Sequence, residues 1–203
     1  MGFATFFFSV LIAHTWDSLP VTHESVSITF SPGVGGLMMK LSGPFFNDPE
    51  APKGPPGKPF PALWNYEVVE AFFLDSTSVN YLEVELCPHG QQLVLLLSGV
   101  GHAFEQQLPL SFNATISGTR WSGQALLPWR YFPPNVNKMN CYAIHGSGDG
   151  RSYEALYPVP RKDLVEGQKP NFHLLQYFQD FSLQSIMGDG WVQPESDLWK
   201  GKR

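Results

Sequence analysis

Two cysteines in 203 residues, Cys87 and Cys141, are too few for a disulfide framework, and neither has the C-x-x-C spacing of a redox or zinc site. Both fall at or in predicted strands, where the expected role is that of small buried thiols. Clustered basic charge is also missing. The chain has 13 Lys and Arg against 18 Asp and Glu, a formal charge of −5, and the basic residues are scattered apart from a short Lys200-Gly-Lys-Arg203 tail. Counterion release from a phosphate backbone needs a basic track, so nucleic acid is not an expected partner. No run approaches the ~20 apolar residues of a transmembrane helix. Long helical periodicity is absent, as are the G-x-S-x-G elbow and the H-E-x-x-H spacing. Gly146 to Gly150 lacks the Lys and the following helix of a phosphate loop. Nothing amounts to a strong catalytic signature, and no cofactor is expected.

What the chain does have is glycine, proline, aromatics and short alternating segments, the composition of many short strands joined by turns. The most informative stretch is Leu63 to Gln92. Within Tyr66 to Leu74, Val68, Phe72 and Leu74 share one parity and Val69, Ala71 and Phe73 the other, which predicts a central strand covered on both sides. Asp75-Ser-Thr-Ser-Val-Asn80 breaks that pattern with turn-favouring residues. Tyr81 to Leu86 resumes it, with Leu82, Val84 and Leu86 inward and Tyr81, Glu83 and Glu85 outward, so the stretch reads as a hairpin. Further strands are expected over Ser25 to Phe30, Leu37 to Leu41, Gln92 to Leu97, Phe104 to Leu110, Phe112 to Ile116, Trp121 to Pro128, Cys141 to His145 and Tyr153 to Tyr157. His14 to Pro20 reads as a turn. Nine or ten strands without βαβ alternation define an all-β antiparallel sandwich, with short helical turns in Arg161 to Gly167 and Asn171 to Phe181.

The expected organisation is one sandwich domain over 14–187, preceded by the apolar lead-in Met1 to Ala13 and followed by a tail over 188–203, part of which packs down through Trp191 and Trp199. The lead-in reads as a strand with Phe6, Phe8, Val10 and Ile12 on one face, or as a signal peptide. Against the signal peptide, no Lys or Arg precedes the apolar run, and Leu11 is not small for a cleavage after Ala13. A cytoplasmic location is expected; a secreted one would make Asn113-Ala-Thr115 a usable glycosylation sequon. Pro44 to Pro61 carries seven prolines and must be an extended surface loop, the kind that often serves as a binding loop or lid.

The stretch Trp64-Asn-Tyr-Glu-Val-Val-Glu70-Ala-Phe-Phe-Leu-Asp75 resembles the signature of family 9 carbohydrate-binding modules and the related DOMON-like β-sandwiches. The blocks Tyr81 to Gly90, Trp121 to Trp129 and Cys141 to His145 follow in the order that likeness requires. More closely, His14 to Trp199 is similar to an uncharacterised animal protein family, that of the human chromosome 4 open reading frame 33 product. The likeness implies a sandwich fold and no established activity. In the sugar-binding modules two tryptophans clamp the sugar. Trp64 stands where one wall would be, and Pro170 to Phe178, where the other would be, offers Phe172, His173 and Tyr177 instead.

Trp64, Glu70, His89 and His173 are the candidate ligand-binding residues. Trp64 could present an indole face to a pyranose or anchor a core. Glu70, inside an apolar strand, needs a cationic or backbone partner or else a shifted pKa. Glu83 and Glu85 lie two residues apart on a strand, roughly 7 Å, within the window of an inverting glycosidase pair; as outward-facing residues they are otherwise simply solvated. His89, His145 and His173 could join those glutamates around a metal, or serve as hydrogen-bonded turn residues. The expected function is a non-catalytic module that binds a saccharide. The rival is an intracellular protein-interaction domain that docks through Pro44 to Pro61, and a glycoside hydrolase using Glu83 and Glu85 is the third reading.

Overall fold

The computed structural model describes residues 6–202; residues 1–5 of the apolar lead-in and Arg203 of the basic tail lie outside the described residues. The strands in chain order are β1 Phe8–Ile12, β2 His14–Thr15, β3 Val26–Gly33, β4 Gly36–Pro44, β5 Val68–Asp75, β6 Asn80–Leu86 and β7 Gln92–Ser98. They continue with β8 Ala103–Gln106, β9 Ser111–Ser117, β10 Arg120–Pro128, β11 Lys138–His145, β12 Ser152–Ala155 and β13 Gln179–Asp180. The strands make two sheets. The smaller has the order β1-β3-β4-β10-β9, and the larger β2-β12-β11-β5-β6-β7-β8, with β13 also pairing β11. Every pairing between named strands is antiparallel, as the alternation and the lack of crossover helices require.

The predicted central hairpin is β5 and β6, with Glu70 opposite Glu85 and Phe72 opposite Glu83. Between the sheets lies an apolar core. Val69, Ala71 and Phe73 of β5, with Leu82, Val84, Val94, Leu96 and Met139 beside them, meet Ile28, Phe30, Leu37, Met39, Leu41, Ala125 and Leu127 of the smaller sheet. Phe30 and Phe181 stand at 5.5 Å from Phe73, edge-on and tilted. The opposite parity of the larger sheet is buried too. Val68, Phe72, Leu74, Tyr81, Leu93, Leu95, Tyr142 and Ile144 form a second cluster beneath Leu63, Phe172 and Phe178, which come from the loops. Both cysteines are free and buried, Cys141 in the first cluster and Cys87 in the second. Burial pushes the Cys87 thiol up to about 12, as befits an inert thiol.

Three local departures from the expected pattern have simple causes. β2 lies in a stretch read as a turn, because two residues pairing with Glu154 and Ala155 leave no alternation to see. Leu183–Met187 is a short α-helix, α1, capped by Ser182 and ended at Gly188 with φ 97°; five residues are too few to show a 3.6 period. The proline-rich loop is docked rather than free. Gly57 N–H donates to Gly90 O at 2.7 Å and Phe60 N–H to Gln92 O at 2.9 Å. The Glu67 carboxylate accepts from Phe46 N–H and Asn47 N–H near the start of that loop. In the tail, Trp199 is buried and its indole N–H donates to Tyr131 O, while Trp191 packs on Trp129 at 4.8 Å. No helix among the described residues is long and apolar enough to cross a membrane.

Candidate functional site

A cavity of about 480 Å³ opens on the outer face of the larger sheet. Its floor is sheet: Glu70 and Phe72 from β5, Glu83 from β6, and Leu95 and Leu97 from β7. Its walls are loops, with Trp64 and Asn65 on one segment and Pro170 to His173 on another; Arg151 and Tyr153 also line it. The volume falls within the roughly 300–1,000 Å³ typical of small-molecule sites.

Trp64 is 41% exposed, standing in a single 3-10 turn, Leu63–Asn65, whose Leu63 is fully buried and pins it to the sheet. Phe172, in the segment where a second tryptophan would clamp a sugar, stacks on Tyr142 at 3.9 Å, and Tyr142 Oη donates to Phe172 O at 3.1 Å. One face of the Phe172 ring is therefore taken. His173 Nδ1 lies 2.7 Å from Tyr81 Oη, and that oxygen accepts the Gly101 N–H at 2.7 Å. The hydroxyl proton is then free to go to Nδ1, which leaves the His173 proton on Nε2. Burial lowers the His173 pKa and keeps the ring neutral.

Glu70 is 1% exposed and its Oε1 has no hydrogen-bond partner. Its pKa is raised well above the usual carboxylate range, first by burial and then by the neighbouring Glu83; Arg151 opposes the shift. Arg151 is committed elsewhere. It donates to the Trp64, Asn65 and Gly146 carbonyls and, through Nε, to Tyr153 Oη at 3.0 Å. It is placed by the Gly146–Gly150 turn, where Gly146 holds φ 79° and a Cβ would meet Gly150 O at 2.3 Å.

Glu83 and Glu85 are not solvated. Both point away from the inter-sheet core, as their parity requires, but the loops cover that face and leave them 5% and 0% exposed. Burial pushes Glu83 up to about 7, and raises Glu85 well above the usual range together with repulsion from Glu70 and Glu83. Only Glu83 of this pair lines the cavity, so the two do not flank a cleft as a glycosidase pair would. The carboxyls that share the cavity are Glu70 and Glu83.

Trp64, Glu70 and His173 are thus brought together, and His89 is not. His89 packs edge-on against Phe45 at 5.4 Å beside the proline-rich loop, away from the cavity lining. Nor do the three candidate metal-ligating histidines converge: His173 bonds Tyr81, His89 faces Phe45, and His145 Nε2 lies 2.7 Å from Glu154 Oε1. Sequence reasoning missed Arg151 and Tyr153. The only signal was a cation directly after a glycine-rich turn on a predicted strand pair.

By fold the molecule is an all-β antiparallel sandwich. It superposes on a putative carbohydrate-binding protein from Bacteroides uniformis ATCC 8492 with a TM-score of 0.56 and 16% identity, over 86% of this chain and 84% of that one. At that identity the likeness is one of fold. The chain belongs to the UPF0462 family. It is 70% identical over 188 residues to the UPF0462 protein C4orf33 homolog of Danio rerio, which covers 93% of this chain and 95% of that one. Against UPF0462 protein C4orf33 of Homo sapiens it is 62% identical over 188 residues, 93% of this chain and 94% of the human one. No family model matches the chain.

Proposed function

We propose that the chain is a non-catalytic binding module for a small saccharide, held in the cavity on the outer face of the larger sheet. The observation that carries this reading is the meeting of a half-exposed indole with unpartnered buried carboxyl oxygens in one cavity. Trp64 offers an apolar plane to the C–H face of a sugar ring. Burial raises the pKa of Glu70 and Glu83, and in the protonated form each can donate and accept, which matches a hydroxyl group that also does both. His173 Nε2–H adds a fixed donor. The resemblance of Trp64 to Asp75 to family 9 carbohydrate-binding modules and the fold of the Bacteroides uniformis protein support the same reading.

The test is calorimetry and tryptophan fluorescence with a panel of mono- and disaccharides, on the wild type and on Trp64→Ala. At least one sugar should bind, with affinity reduced ten-fold or more in the variant and its melting temperature nearly unchanged, since Trp64 is largely outside the core. Saturating sugar with neither heat nor fluorescence change would refute the proposal. Release of a cleaved product would instead favour the hydrolase reading, with Glu83 as the acid.

A further inference from the structure

On the opposite face of the larger sheet, at the rim of the sandwich, three side chains from separate parts of the chain meet. His23 comes from the loop between β2 and β3, His145 from the end of β11 and Glu154 from β12. The His145 and Glu154 side chains share a sheet face because Ser152 pairs with His145 and Ala143 with Glu154. Tyr153, the residue between, lines the saccharide cavity on the other side. The two sites are therefore separated by the sheet itself.

One ligand atom from each of the three residues lies within 4.8 Å of the others. His23 Nε2 is 2.8 Å and His145 Nε2 2.7 Å from the same oxygen, Glu154 Oε1. His23 Nδ1 lies 2.8 Å from the Glu24 carbonyl oxygen. A carbonyl only accepts, so Nδ1 carries the proton, and neutral His23 turns the lone pair of Nε2 toward a carboxylate oxygen. Two acceptors in contact require a positive centre between them, a proton or a metal ion. A backbone carbonyl on the far nitrogen is the usual arrangement that fixes a metal-bound imidazole. Phe46 lies flat on the His145 ring at 3.6 Å and edge-on to His23 at 4.9 Å, so both rings are held in place. Glu154 is fully buried and its Oε2 has no partner. A buried carboxyl oxygen left unpaired is costly for structure alone. A second carboxylate, Glu67, is close enough to His145 to add negative charge to the surroundings.

We propose that His23, His145 and Glu154 form a binding site for a divalent transition ion of the zinc type. Two imidazoles and one carboxylate suit zinc better than calcium or magnesium, which take oxygen donors. Zn–N and Zn–O distances of about 2.0–2.2 Å separate tetrahedral ligands by roughly 3.3 Å, so the two nitrogen–oxygen contacts would open by about half an ångström while the two Nε2 atoms, within 4.8 Å of each other, settle to that separation. Three protein ligands leave one position for a water or a small anion, reached from the side where His23 is 23% exposed.

The experiment uses tag-free full-length protein stripped with a chelator, then titrated with zinc chloride against a chromophoric competitor and, separately, with cobalt chloride followed by visible spectroscopy. The expected result is one equivalent of zinc bound, a raised melting temperature, and cobalt d–d bands of tetrahedral type. His23→Ala, on a surface loop, should reduce zinc affinity at least ten-fold while the far-ultraviolet dichroism stays that of the wild type; Glu154→Gln should do the same. Zinc binding unchanged in both variants, or no stoichiometric binding by the wild type, overturns the proposal. Should a variant fail to fold, the cobalt spectrum of the wild type decides alone, since octahedral bands or none would also overturn it. Saccharide binding is expected to be indifferent to zinc, so the failure of either site does not decide the other.

Discussion

The two faces of the larger sheet are buried about equally and built on different principles. The face toward the smaller sheet is filled near its centre by carbon and sulfur atoms alone: Phe73, Leu82, Val84, Leu96, Met139 and Cys141 meet side chains of the same character. The face toward the loops sets Glu70, Glu83 and Glu85 among Phe72, Leu95 and Tyr142, and atoms of all three carboxyls lack partners. Burial alone does not force that outcome. Asn140, on the same outer face, has its needs met, its amide donating to Tyr142 Oη and Tyr157 O and its carbonyl accepting from Cys141 N–H and Tyr157 N–H. That contrast between Asn140 and the glutamates beside it is what supports the binding role proposed for Glu70 and Glu83.

The largest effect is expected on the apolar side. Phe73→Ala removes a fully buried ring from the inter-sheet core and should cost about 3–5 kcal/mol, read as a drop in the denaturant midpoint. On the acidic side the sign reverses. Unfolded Glu83 loses its proton near 4.5 and native Glu83 holds it until about 7. The unfolded chain therefore binds fewer protons across that window, and stability falls as pH rises through it. Glu83→Gln should raise stability by on the order of 3 kcal/mol above pH 7 and by almost nothing at pH 4, flattening the pH profile of the melting temperature. A variant that destabilises at pH 8 would show that the carboxylate has a structural partner after all. A smaller effect is expected from Tyr81→Phe. Loss of the hydroxyl leaves Gly101 N–H without its acceptor and His173 without its donor, at a cost of about 1–2 kcal/mol, and the His173 pKa should rise in an NMR titration because the neutral ring has lost a hydrogen bond.

Much of the architecture was legible in the sequence because it depends on a period of two. The double burial of β5 followed from apolar residues at both parities of Tyr66 to Leu74, and the parity of Glu83 and Glu85 on β6 was also correct, though not their burial. What parity cannot supply is a cover. Whether an outward side chain meets water or a loop depends on where residues 44–67 and 156–178 fold back, and those segments have no period to read. That is why Glu83 and Glu85 were expected in solvent and found buried. Of the candidate site, Trp64 and Glu70 were marked by their place before and on a strand, whereas His173, in a segment with no period, was marked only by the second-wall position in the likeness to sugar-binding modules. Arg151 and Tyr153 reach the cavity only through the pairing of β11 with β12, and His89, attractive at the end of a strand, ended against Phe45 because the turn at Gly90 is held by the proline-rich loop.

The stack of Phe172 on Tyr142 has a consequence for how this molecule can change. The cavity rests on a hydrogen-bonded ladder, while its far wall is a short irregular segment fastened by the Phe172–Tyr142 stack and by the hydroxyls of Tyr142 and Tyr81. Substitutions in residues 170–173 can therefore reshape the cavity while every strand keeps its register. Descendants of such a molecule could exchange one guest for another by rewriting a few positions of a loop, with the sandwich beneath them left as it was.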